Sequence, residues 1–133
     1  MAILRHFDHP YYFVTATCNT EWSEIKEQLH DGEAAFDRAE LCARVFKQKL
    51  DVLLQLLPHV FGDITYRIAV IEFQRGLPHS HIVFLVSDDH KPDNTQCVDE
   101  HISATWPDRD KDPQLYAIVE KFMTHKNCKS QRR

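Results

Sequence analysis

"DITYRIAVIEFQRGLPHSHIVFLV", residues 63–86, decides how this chain folds. The segments "DITYRIAVIEFQ" and "HSHIVFLV" are rich in β-branched and aromatic residues and read as two strands. The link "RGLP" between them is short and contains a glycine, which predicts an antiparallel hairpin. His79 and His81 stand one residue apart at the mouth of the second apolar run. Side chains on a strand alternate faces, so the two imidazoles share one side and Ser80 points to the other. Their Cβ atoms stand roughly 7 Å apart by the strand rise, close enough to lean onto one ion.

Two imidazoles leave a metal in need of further ligands, and oxygen suits an ion that serves phosphate chemistry. Glu72 lies on the preceding strand, seven residues before His79. Across the "RGLP" link it falls opposite or diagonal to the histidines, within side-chain reach. Ile71 and Phe73 then face the other layer, and Gln74 shares the side of Glu72 as a reserve ligand. A carboxylate within an apolar strand is costly unless paired or metal-bound. Against this stands the abundance of histidine: the chain holds nine, and a strand histidine is more often a hydrogen-bonded structural residue. From the residues alone, a metal site and a structural pair both stay open.

Upstream of the hairpin, "YYFVTATC" reads as a first strand, with Tyr11, Tyr12 and Phe13 opening it as core residues and base stacking as their alternative role. "TEWSEIKEQLH" is a short helix with Thr20 or Ser23 as its cap, and Asp31-Gly32 marks a break. The clearest helix runs from about Arg38 to Leu57. Asp37 stands three residues before Glu40, the spacing of a capping box, and Pro58 is expected to end the helix. Leu41, Val45, Leu50, Leu53, Leu54 and Leu57 form its apolar stripe, a core-packing face. After the hairpin, "SDDHKPDNTQ" is a loop, "CVDEHISATW" a weak helix, "QLYAIVEKFMTH" a last amphipathic helix and "KNCKSQRR" a basic, frayed tail. Strand, helices, hairpin and helices in that order predict an α+β fold.

At 133 residues the chain is expected to be one domain spanning 1–133. A formal net charge of −4 argues against a broad basic surface that coats nucleic acid, though a local groove is compatible with it. Three glycines leave no room for a Walker-type phosphate loop, so these residues are no ATPase. Cys18, Cys42, Cys97 and Cys128 form no CxxC pair, and neither a secretory signal nor a membrane span can be read. A reducing, intracellular setting is the expectation.

"MAILRHFDHPYYFVTATCNTEWSEI", "DRAELCARVFKQKL", "VFGDITYRIAVIEFQRGLPHSHIVFLV" and "DPQLYAIVEKFMTH" together resemble the Helitron helicase-like N-terminal domain. "EFQRGLPHSHI" is the most specific segment, and the likeness runs along nearly the whole chain. The family belongs to the replication-initiator endonuclease region of Helitron rolling-circle transposases. The resemblance implies an HUH (Rep-like) fold, a central antiparallel sheet flanked by helices. It implies that His79 and His81 bind the metal, with Ser80 where a small or hydrophobic residue is usual, and that Glu72 supplies a third ligand. Thr15, Thr17 and Asn19 in "FVTATCN" correspond to the family's first motif; strand-end hydrogen bonding is their plain alternative.

The implied activity is nicking and strand transfer of single-stranded DNA with Mg²⁺ or Mn²⁺, through a tyrosine that is left linked to a 5′-phosphate. The implied setting is the nucleus, with a helicase region downstream in the full-length family protein. The paired-tyrosine helix of the family is not found in this sequence. Tyr116 matches an ordinary helix position, where packing is its expected role. No catalytic residue is therefore assigned, and the domain is expected to be cut short at its C-terminal side. "THKNC" resembles the start of a cysteine run, so His125 and Cys128 are candidates for half of a zinc site completed elsewhere; two ligands do not close one. The alternative function is a non-catalytic DNA-binding or interaction module left from a decayed transposon.

Overall fold

The structure is a computed structural model and describes residues 10–124. The fold is α+β, as the pattern predicts. The chain divides after Asn94 into two compact units.

The first unit is built on a three-stranded antiparallel sheet, β1 (Tyr12–Thr17), β2 (Ile64–Gln74) and β3 (Leu77–Val86), in the order β1-β3-β2. The hairpin turn is shorter than "RGLP" suggests, because Leu77 and Pro78 already belong to β3. It consists of Arg75 and Gly76, both at positive φ (53° and 81°). Two left-handed residues match the right-handed twist of the flanking strands, and this fixes the register. Glu72 pairs with His79, Val70 with His81 and Ile68 with Val83. On the other side of β3, Thr17 pairs with His79, Thr15 with His81 and Phe13 with Val83.

One face of β3 is the core. Pro78, Ser80, Ile82 and Phe84 alternate with half-buried His79, His81 and Val83. The cover is helix α2 (Ala39–Phe61), whose Leu41, Cys42, Val45, Phe46, Leu50 and Leu57 are buried, with Leu53 and Leu54 packed at the margin. Tyr12, Phe61 and Phe84 form an aromatic trio with centroids 4.6–5.3 Å apart, tying β1, the end of α2 and β3 together. The histidines therefore stand on the outer face of the sheet, away from this core. Phe13 does too: it is 62% exposed, so only Tyr12 of the opening aromatics is a core residue in its own right, with Tyr11 packed against the core edge.

Helix boundaries depart from expectation at both ends of α2. Asp37 does not cap it; Ala35–Arg38 form a 3₁₀ turn, and the Asp37 carboxylate accepts the Ala34 N–H at 3.1 Å. Glu40 instead pairs with Arg38, whose guanidinium holds the Glu40 carboxyl below its usual range. Neither Thr20 nor Ser23 caps the short helix α1 (Ser23–Lys26), whose N-cap position is Trp22.

Pro58 does not end α2. The helix continues to Phe61 and stops at Gly62, at φ 87°, where any Cβ would collide with the His90 ring. A proline has no N–H for the carbonyl four residues back, here that of Leu54. Arg67 Nη1 on β2 donates to this Leu54 oxygen at 2.9 Å and so replaces the missing bond. Arg67→Met, which keeps the aliphatic stem, is expected to cost about 1 kcal/mol in urea unfolding. Unchanged stability would show that water serves the carbonyl equally well.

The second unit carries helix α3 (Thr95–His101) and helix α4 (Pro113–Ile118), which continues as a π-helical turn, Val119–Met123. Asp112 caps α4 by accepting the Leu115 N–H at 2.9 Å. The Tyr116 ring lies 5.4 Å from that of Trp106, with the Arg109 guanidinium over its face. His125, Cys128 and the "KNCKSQRR" tail lie outside the described residues. Among the described residues no helix is long and apolar enough to cross a membrane.

Candidate metal centre

Two chain features put Glu72, His79 and His81 on one face of the sheet. The tight turn sets the acid directly across from His79, and the two-residue period of β3 puts His81 on the same side. The imidazole centroids are 4.5 Å apart, edge to face. His81 Nε2 stands 3.7 Å from Glu72 Oε2. Glu72 is 64% exposed, so the desolvation cost expected for an acid in this apolar strand does not arise. Ile71 and Phe73 have the opposite phase, paired with Ser80 and Pro78. Gln74, in phase with Glu72, pairs with Leu77, one step nearer the turn than the histidines.

The histidines are held differently. Thr17 Oγ1 lies 2.6 Å from His79 Nδ1, across the β1–β3 pair. With Nδ1 protonated the ring donates to the hydroxyl, and Nε2 is left as the basic nitrogen. An outer contact of that kind is how ligating histidines are usually oriented. His81 has no such anchor: its Nδ1 is buried without a hydrogen-bond partner. The ring is instead stacked on Phe13, at 5.5 Å and 12°. Of the first-motif residues, Thr17 thus reaches the pair and Thr15 lies beside it in register with His81. Asn19 does not; its side chain accepts the Glu21 N–H in a local turn.

The place of Phe13 beside His81 was missed because aromatic strand starts usually enter the core. The alternation of "FVTAT" carries the signal, since Phe13 shares a phase with Thr15 and Thr17.

Two imidazoles and a carboxylate are a donor set suited to a divalent ion such as Mn²⁺. The His79 ring held through Nδ1, and His81 Nε2 facing the Glu72 carboxylate, agree with that use. As the side chains stand, no three His, Cys, Asp or Glu groups among the described residues are gathered around a common point. Glu72 is the exposed, adjustable member of the trio, and rotation of its side chain is what would draw the set together.

An antiparallel sheet covered by helix on one face, with His79 and His81 on the other, is the architecture of an α+β domain. The family description "Helitron helicase-like domain at N-terminus" matches residues 1–84, which is 84 of the 133 positions. The chain belongs to the Helitron helicase-like family, and its role is that of a Helitron transposase-related, nucleic-acid-associated protein. The match takes in β1, α2, β2 and β3 as far as Phe84, and so includes Glu72, His79 and His81. The "DPQLYAIVEKFMTH" segment lies beyond it. No curated protein matches the chain.

Proposed function

We propose that this domain is the metal-binding part of an HUH endonuclease that nicks and rejoins single-stranded DNA in rolling-circle transposition within the nucleus. The observation that carries this reading is the placement of Glu72, His79 and His81 on one sheet face, with Glu72 beside His81 and His79 in contact with Thr17. These three residues would hold Mg²⁺ or Mn²⁺, which supplies Lewis-acid polarisation and a template for a phosphate oxygen. The chain's own residues do the rest. Thr17 holds the His79 ring through its Nδ1, Phe13 walls the His81 ring, and the exposed Glu72 carboxylate would close the set.

No nucleophile is assigned. Tyr12 is packed in the core and Tyr116 against Trp106, so the attacking tyrosine of the proposed reaction is neither of these. The downstream helicase region of the family supplies the expected partner.

The test is a thermal-shift titration with Mn²⁺. A ligand that binds only the folded state adds about 2.7 kcal/mol at a hundredfold excess over its Kd. The shift is expected in the native chain and absent in His79→Ala/His81→Ala. An equal shift in the double variant rules the assignment out. The exposed Glu72 side chain, which reaches His81 alone, favours a second reading: a non-catalytic DNA-binding module. That reading expects salt-sensitive single-strand binding that survives in the double variant.

A further inference from the structure

A second feature lies on the helical side of β1. A cavity of about 200 Å³ opens between the end of β1, α1 and α2. Its floor is Phe46 and Leu50, which are 2% and 3% exposed, and its walls are Leu53 and the indole of Trp22. Ala16 and Thr17 form the strand edge of the cavity. Among the described residues that line it, Lys49 alone is charged. The Lys49 ammonium sits 5.7 Å from the Trp22 ring centroid and pairs with Glu24. That pairing keeps the Glu24 carboxyl below its usual range.

The lining defines the guest. Drug-sized ligands need about 300–1,000 Å³, so this space admits one small ring system. The Trp22 indole over a floor of Phe46 and Leu50 suits a flat π-face, and the Lys49 ammonium at the rim suits one anionic substituent. A nucleobase with its phosphate has both, and bases stack on aromatic side chains with little regard to sequence. Thr17 connects the two features, since it lines the cavity and its hydroxyl holds His79. An aliphatic side chain from a protein partner would use the floor but leave Lys49 without a role.

We propose that this cavity receives an unpaired nucleobase of the DNA strand, with Lys49 exchanging Glu24 for the adjoining phosphate. The proposal rests on the nucleic-acid reading above but requires no metal, so it is tested in the presence of a chelator. In a Trp106→Phe background Trp22 is the single tryptophan. Thymidine 5′-monophosphate is expected to quench its emission saturably, in the native site and equally in His79→Ala/His81→Ala.

Three substitutions sharpen the result. Trp22→Leu is expected to weaken binding of an oligothymidylate of about ten nucleotides by fivefold or more, read by anisotropy. Leu53→Phe fills the cavity from a half-buried position and should do the same with an unchanged circular dichroism spectrum. Glu24→Gln releases Lys49 and should tighten binding of the nucleotide about threefold while leaving thymidine unaffected, the mark of a charge-assisted contact. Emission that ignores the nucleotide overturns the proposal, as does a Glu24→Gln effect equal for nucleotide and nucleoside. Displacement of the oligonucleotide by an apolar peptide, without quenching by the nucleotide, gives the cavity to a protein partner and overturns it too. Loss of the Mn²⁺ shift with quenching intact would remove the metal assignment alone.

Discussion

Replacing Phe84 by alanine is expected to remove about 3–5 kcal/mol of stability, the range for emptying a core aromatic site. Phe84 is fully buried and meets both Tyr12 and Phe61 at 5.3 Å. The cavity left behind would have walls from β1, β3 and the end of α2, so no single element can move in to fill it. For a small domain this is a large share of the total, typically about 5–15 kcal/mol. The matched control is Phe13→Ala. Phe13 lies on the neighbouring strand, one register step from the Tyr12–Phe84 pair, but on the outer face at 62% exposure. Its truncation should change stability by no more than about 0.5 kcal/mol, as surface substitutions do. Urea unfolding of the two variants, with the slope unchanged, checks both values. Similar losses from both would mean that the outer face is packed as tightly as the core.

Ser80→Ala is expected to act in the opposite direction and stabilise the chain by about 1 kcal/mol. Ser80 is fully buried on the core side of β3, and its hydroxyl has no hydrogen-bond partner. An unsatisfied buried hydroxyl costs about 1–3 kcal/mol, and alanine removes the group while keeping nearly the same volume. For a domain of this size the melting temperature should rise by roughly 4–8 °C per kcal/mol. Because Ser80 points away from the histidines, the Mn²⁺ response should not change. A melting temperature that falls in Ser80→Ala would show that the hydroxyl is satisfied after all. The same position explains why a small or apolar residue is expected between the two histidines: its side chain is a core residue, not a ligand.

The hairpin and the shared face of Glu72, His79 and His81 were legible because they follow from period-two alternation and a short glycine-containing link. What alternation cannot say is which face meets the helix. His79 and His81 were read at the mouth of an apolar run, and they face outward because the opposite phase, Pro78, Ser80, Ile82 and Phe84, is the one α2 covers. Phe13 was misplaced for the same reason. The end of α2 was misread because proline's lost hydrogen bond was taken as final. A guanidinium thirteen residues away in sequence supplies the replacement, and no local pattern shows it. The apolar stripe of α2 was legible, although Cys42 and Phe46 on the same face were not included in it. The cavity beside Trp22 was invisible, since it depends on how three separate elements meet.

All three donors of the metal reading hang from one hairpin, so their meeting depends on the spacer Arg75-Gly76 more than on any distant contact. One residue added there would put β2 half a pleat out of step with β3. Glu72 would then turn to the face that Ile71 and Phe73 now occupy, and Phe73 would take its place beside the imidazoles. Lengthening the stretch from Ser87 to Asn94 would leave the trio aligned. The shared face of these three side chains hangs on a turn two residues long.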